Sequence, residues 1–513
     1  MKQPGQETNP WLVALVVALA AFMEIMDISI ANVSLPHIAG DLSSSQNEST
    51  WVLTSYLVTN AIVMPISGWL SNTFGRKRFF LVCIASFTVA SLLCGLAPNL
   101  GSLIVLRALQ GAAGGGLQPS GQAILADTFP PEKRGMASAV YGIAAVVGPT
   151  VGPTLGGWIT DDYSWRWIFF INVPVGIALV FCVIALIREK PVARNAVSTG
   201  TVDWIGFALV TLSLGCLQIV MDRGQDADWF GSDFITVMSL VSAAAFVLLI
   251  WWELRHPSPM VDLRLLGERD FAITFFLMLV VGFMLLGSTF LIPAYAQNMM
   301  GYRAIDAGMV LTPGGILIIL LMPMIGRVVG KVDVRVLIGI GLLIGRVSLL
   351  WTTNFYLDIS YRYLVFARMG QSLSLAFLFV PLTALAFRGI PPARINNASA
   401  LINLARNFGG SIGISFCSTL LTRREQFHQS RLVEYAHHLN PAYPDYAQQI
   451  GSALGVSSNA STTMAYVYQN IIDQATLLSY LDNFKVLGIV YLCLLPLLLL
   501  VSPNETRTAA VGH

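Results

Sequence analysis

Apolar residues run along this chain in blocks of about twenty, and short polar stretches separate the blocks; about 20 apolar residues are what a helix needs to cross a bilayer. Fourteen such blocks stand at 11–33, 51–71, 79–97, 102–125, 136–157, 167–187, 204–221, 234–252, 271–297, 307–329, 334–353, 362–387, 397–421 and 484–502. They predict an all-α polytopic membrane protein with fourteen spans. The first block, Trp11–Val33, is long enough to span and shows no cleavage site, so no cleavable signal peptide is expected. The stretch from Thr422 to Tyr480 lacks a block and is expected to be a long outer loop.

Composition agrees. Of 513 residues 55% are hydrophobic and 11% charged, against about 25% charged in soluble domains. Cys83, Cys94, Cys182, Cys216, Cys417 and Cys493 all lie in apolar blocks without metal or disulfide spacing, and read as core residues. The net charge of +2 excludes little, but its placement orients the chain. With the N-terminus inside, cytoplasmic loops hold Arg76, Lys77, Arg78, Lys133, Arg134, Arg188, Lys190, Arg194, Arg255, Arg264, Arg269, Arg327, Lys331, Arg335, Arg388 and Arg394. The short outer loops hold only Arg166, Arg223, Arg303 and Arg362. The positive-inside rule then places both termini in the cytoplasm.

The chain repeats itself. A shift of 261 positions (368 − 107) pairs Arg107 with Arg368, Gln110 with Gln371 and Pro130-Pro131 with Pro391-Pro392. It also pairs Ala137-Ser138-Ala139 with Ala398-Ser399-Ala400, Gly148 with Gly409 and Gly152 with Gly413, without a gap. Two homologous six-helix halves follow, with two further helices inserted between them. The expected divisions are 1–190, 191–268 and 269–513. Parallel six-helix repeats are a transporter architecture, with the substrate site between the halves.

Charges within spans are costly, so each marks a candidate site. Glu24 and Asp27 lie three apart on one face of the first span, and Arg107 in the fourth span lies at similar depth. An acid held between burial, which raises its proton affinity, and a nearby Arg, which lowers it, can load and release a proton. The alternative is a static ion pair. Arg346, Arg368 and Arg406 also fall within spans, facing either substrate or packing partners, and Gln110 stands beside Arg107. In the fifth span Gly148, Gly152 and Gly156 recur every fourth residue, as do Pro149, Pro153 and Gly157. That spacing gives a smooth face for close backbone approach, and the prolines stiffen or bend the helix. It suits either simple packing or a sliding seal between the halves.

These residues carry a resemblance. Met26–Pro36 with Asp27 is similar to the first-span motif of the fourteen-helix drug:proton antiporters of the major facilitator superfamily, in the EmrB/QacA-type branch. Gly68–Arg78 resembles that family's gating loop, and Leu103–Gly111 with Arg107 and Gln110 resembles its fourth-span motif. Gly142–Gly157 resembles its antiporter motif, and Ser164–Pro174 the signature that opens the sixth span. The resemblance covers nearly the whole chain. It implies the major facilitator fold, two six-helix bundles plus two inserted helices, in a bacterial inner membrane. It implies proton coupling through Asp27, with Arg107 and Glu24 as candidate partners, and a cytoplasmic gate of Gly68, Asn72, Gly75, Arg76 and Lys77. Two positions depart from the pattern. Asn72 replaces the usual Asp, which removes the charge from the gate and leaves Gly68 and Gly75 to permit a tight turn. Arg76-Lys77-Arg78 is otherwise only a positive-inside anchor. Glu24 replaces a frequent Gln, and either adds a proton, favours cationic substrates or serves as a protonated hydrogen-bond donor.

Gly326–Val332 has the wrong spacing for a phosphate-binding loop, so direct ATP drive is not expected. No His cluster or nucleophile–base pair marks an enzyme, and His428, His437 and His438 lack acidic or Cys partners at metal spacing. The expectation is a proton-coupled exporter of hydrophobic or amphipathic compounds, with protons as the only cofactor and no nucleic-acid partner. A nutrient symporter on the same scaffold and a non-transporting sensor are the rivals. The resemblance also implies a periplasmic adaptor and an outer-membrane channel as partners, with the 422–480 stretch as the docking element or as a plain solvated loop.

Overall fold

Backbone in hydrocarbon must satisfy its own hydrogen bonds, and a helix does so within one segment. The computed structural model of the chain follows that rule. It describes residues 9–130, 133–188, 203–257, 259–391, 394–436, 440, 442–457 and 461–502. Both chain termini, with Lys190, Arg194, His437 and His438, lie outside the described residues. Among the described residues thirteen helices are long and apolar enough to cross a membrane. The first six are α1 (Pro10–Asp41), α2 (Trp51–Phe74), α3 (Arg76–Gly95), α4 (Leu100–Thr128), α5 (Arg134–Asp162) and α6 (Trp167–Leu186). Next come α7 (Trp204–Arg223) and α8 (Asp233–Arg255), then α9 (Arg269–Met300), α10 (Ile305–Val328), α11 (Val334–Thr352) and α12 (Tyr361–Ala386). The chain ends in α13 (Ile395–Val433), α14 (Ala442–Leu454) and α15 (Ser461–Leu494), which a 3-10 turn extends over Leu495–Leu500.

The expected fourteen spans are thus thirteen by length and apolarity. α13 is long enough, but Asn396, Asn403 and Arg406 lie buried along it and lower its hydropathy. The outer loop expected over 422–480 is largely helical. α13 runs on to Val433, α14 is a separate amphipathic helix, and α15 begins at Ser461. Asp482 of α15 pins the extension of α13: Arg424 reaches it at 2.6 Å and His428 Nε2 at 2.8 Å.

The repeat is visible in the helix starts. α4 and α12 begin at Leu100 and Tyr361, and α5 and α13 at Arg134 and Ile395, each 261 apart. Equivalent pairs pack alike: α1 on α5 and α9 on α13 within the halves, α5 on α10 and α13 on α2 between them. Of the inserted helices, α8 packs mainly on α7. α7 bridges both halves. Its Asp222 accepts from Thr54 of α2, its Arg223 donates to Thr50 just before α2, and its Gln218 donates to Ser411 of α13 at 3.0 Å.

The glycine face of α5 turns toward its own half. A Cβ on Gly148, Gly152 or Gly156 would meet Ile25, Ser29 or Ile30 of α1. Pro153 has no N–H, which leaves the Pro149 carbonyl without its helical donor, and Ser29 Oγ donates to that carbonyl at 3.3 Å. Gly152 is what lets Ser29 come so close. Of the two alternatives, close packing is what these three positions show, as an α1–α5 joint; Gly135, Gly142 and Gly157 of the same helix face the second half, at Val329, Phe379 and Ile305. Gly409 and Gly413 repeat the joint against Leu279 and Phe283 of α9. Gly152→Val should therefore destabilise the protein by about 1–3 kcal/mol through overpacking, read as a lower melting temperature in detergent.

Candidate functional site

Asn99 and Ser102 form a capping box that fixes the start of α4. From there Arg107 lies about 12 Å along the helix at 1.5 Å per residue, at the depth of Asp27 in α1. The two meet. Arg107 Nη1 donates to Asp27 Oδ2 at 2.6 Å and to Gln110 Oε1 at 2.8 Å. Asp27 Oδ1 accepts from Gln110 Nε2 at 3.1 Å and from Asn172 Nδ2 of α6 at 2.7 Å. Arg107 Nε donates to the Val52 carbonyl at 3.2 Å, and the guanidinium lies 4.3 Å from the Tyr56 ring centroid. Asp27 is 2% exposed and Arg107 0%. The carboxylate therefore has one cationic and two neutral donors in a buried site, where such bonds are strongest.

Glu24 does not join this pair. Its Oε1 accepts from Asn60 Nδ2 of α2 at 3.0 Å, and its Oε2 from Gln118 Nε2 of α4. Gln118 Oε1 in turn accepts from Arg406 Nη2 of α13, in the other half. A carboxylate in the first half thus reads a guanidinium in the second through one amide. Glycines of α4 make the approach possible: a Cβ on Gly111 would fall on the Tyr56 carbonyl, and one on Gly115 would meet the Asn60 carbonyl.

A polar seam continues from there along α13. Asn403 Nδ2 donates to Gln122 Oε1 at 2.8 Å, Ser399 Oγ donates to the Pro119 carbonyl at 2.8 Å, and Asn396 Nδ2 donates to Asn72 Oδ1. Asn72, at the expected gate, is therefore a neutral cross-half contact. Gly68 lies inside α2 against Asn397, so it provides close approach and not the expected turn; Gly75 makes the turn, at φ 90°. Arg76 pairs with Asp127 at the end of α4, and Lys77 Nζ donates to the Ile184 carbonyl at 2.9 Å. Beside the seam a crevice is lined by Gln122, Ala137 and Tyr141 of the first half and by Thr383 and Phe387 of the second.

Of the other span arginines, Arg368 donates to Ser288, Thr289 and Gln371, and Arg346 lies against Gly488 of α15. Sequence reasoning missed Asn172, Asn60, Gln118 and Asp127. Asn172 was legible as the amide inside the Ser164–Pro174 signature, and Asn60 and Gln118 as amides inside apolar blocks. Among the described residues no group of His, Cys, Asp and Glu stands ready to hold a metal ion.

Two pseudo-symmetric helical halves around buried, cross-linked charges are the architecture of a membrane transporter. The chain belongs to the Major Facilitator Superfamily, whose family model matches residues 17–414. It is 36% identical to the multidrug export protein EmrB of Haemophilus influenzae, over 96% of each chain. It is 35% identical to the fatty acid resistance protein FarB of Neisseria gonorrhoeae, over 98% of this chain and 97% of that one. The crystal structure of the human organic anion transporter MFSD10 shares the fold, with a TM-score of 0.61 over 97% of this chain and all of that one at 14% identity.

Proposed function

We propose that the protein exports hydrophobic or amphipathic compounds across a bacterial inner membrane in exchange for protons, by alternating access. The observation that carries this reading is Asp27, a carboxylate buried in a span and held by a guanidinium it can release on protonation. Relatives named for multidrug export and fatty acid resistance support a lipophilic cargo. Asp27 accepts the proton, Arg107 is its charge partner, and Gln110 and Asn172 hold its second oxygen. Glu24 is a second acid whose state is felt across the halves. When ionised it aligns Gln118 toward Arg406 and holds the seam; when protonated it loosens the seam. Linkage makes this reciprocal, so parting the halves favours the protonated acid. Inward proton movement supplies about 2.3 kcal/mol per charge per 100 mV. α13, which brings the bundle to fourteen helices, lines the second half of the transport path. The helical segment from Thr422 to Tyr480 docks a periplasmic adaptor that leads to an outer-membrane channel; retained adaptor pull-down after deletion of residues 436–458 would remove that part of the reading.

The test is a panel of lipophilic dyes and drugs in reconstituted vesicles, with and without an imposed pH gradient. Uphill movement of at least one compound should appear with the gradient and vanish with a protonophore. Movement that ignores the gradient for every compound sinks the coupling. In the same assay Arg406→Met should weaken pH-driven uptake, while Arg406→Lys, which keeps the charge, should retain more of it.

A further inference from the structure

The Asp27 site recurs in the second half without its acid. A shift of 261 takes Arg107 to Arg368, Gln110 to Gln371 and Asp27 to Ser288, while Glu24 falls on Leu285. The geometry is kept. Arg368 Nη1 donates to Ser288 Oγ at 3.1 Å and to Gln371 Oε1 at 3.4 Å, each longer than its counterpart around Arg107. Arg368 Nη2 donates to Thr289 Oγ1 at 2.9 Å. All three acceptors are neutral. Arg368 is 0% exposed, and no carboxylate pairs with it among the described residues.

A buried guanidinium without a counter-ion is expensive inside a membrane, and its persistence calls for an anion. Three further polar atoms around it are buried without a hydrogen-bond partner: Arg368 Nε, Gln371 Nε2 and Ser372 Oγ. Residues i, i+3 and i+4 share one helix face, so these atoms belong to one stripe of α12. Gly314 of α10 lies over the stripe, where a Cβ would fall against Ser372 Oγ and 3.3 Å from Arg368 Cγ. Leu364, one turn before Arg368 on its helix, and Leu285, one turn before Ser288 on its own, are both buried and line the same helix faces with apolar carbon. A planar fork of donors next to apolar walls matches a carboxylate on a lipophilic tail.

We propose that the Arg368, Gln371 and Ser372 face of α12 binds the carboxylate of a lipophilic acid, which supplies the counter-charge that Asp27 supplies in the first half. The inference rests on the exporter reading for the fate of the bound acid, but the binding step stands apart from it. Its geometry also explains why the second half keeps an Arg–Gln pair while discarding the acid: the first pair serves an internal carboxylate and the second serves a carboxylate that arrives.

The test uses the full chain in lipid nanodiscs with dodecanoate, kept below its micelle concentration, and ethidium as probes. Ser288→Asp builds the internal ion pair of the first half into the second. It should weaken dodecanoate binding at least about tenfold, as close charge pairs do when one partner is pre-empted, while its melting temperature holds or rises. Arg368→Met should lose the binding and Arg368→Lys should keep part of it. Unchanged dodecanoate affinity in a folded Ser288→Asp protein overturns the site. Displacement of dodecanoate by chloride at equal concentration overturns the lipophilic class in favour of a small inorganic anion. Wild-type protein that exports ethidium but binds no dodecanoate overturns the anion site alone. Dodecanoate binding that responds to Ser288→Asp, in a protein that moves no ethidium, supports the site and removes only the exporter reading.

Discussion

Asp27→Asn should reduce pH-driven uphill transport in reconstituted vesicles to the level of protein-free vesicles, while substrate counterflow persists. The substitution keeps two of the three hydrogen-bond partners of the side chain, because Gln110 and Asn172 hold one oxygen and only Arg107 loses its charge partner. Folding and substrate binding should therefore survive. What disappears is the group that changes charge. An Asp27→Asn protein that still pumps uphill in response to an imposed pH gradient would show that the ion pair is structural and that coupling lies elsewhere, with Glu24 the next group to test.

Arg107→Met should be the most destabilising substitution in the site. It leaves Asp27 buried with two neutral donors and no counter-charge, a change that typically costs about 3–5 kcal/mol. The double variant Asp27→Asn/Arg107→Met removes both charges and should recover much of that loss, read as melting temperature in detergent. It should recover none of the pH-driven transport. Stability that returns without transport separates the cost of a buried charge from the work of the proton site, and a double-mutant cycle gives their coupling. If the single variant melts like the wild type, water or another cation already compensates Asp27.

The broad architecture was legible in the sequence because spans and repeats are written in hydropathy and in residue spacing. The meeting of Asp27 with Arg107 followed from matching depths on two helices. Glu24 shares the depth of Arg107 but turns to other partners for a geometric reason. Residues three apart on a helix differ by about 60° around its axis, enough to turn one acid toward α4 and α6 and the other toward Asn60 and Gln118. Gln118 itself lies beyond the interruption of α4 at Gly115 and Gly116, so its direction could not be carried over from Arg107. The glycine stripe of α5 announced a close neighbour but not which one; only packing shows that α1 fills it and that Ser29 uses the carbonyl that Pro153 frees. The stretch after Thr422 looked like a loop because Arg423, Arg424 and Glu425 end the apolar pattern. Its helices continue past the apolar part because polar pairs such as Arg424 with Asp482 replace apolar packing.

The central claim is exchange of substrate for protons. Vesicles that hold the protein and the pH dye pyranine, loaded with a transported dye such as ethidium and diluted into dye-free buffer at equal pH, test it most directly. With potassium and valinomycin clamping the potential, efflux of the dye should draw protons inward and acidify the lumen, and Asp27→Asn should abolish the signal. A lumen that turns alkaline as the dye leaves, or one that stays constant while the protein carries the dye out, would contradict antiport.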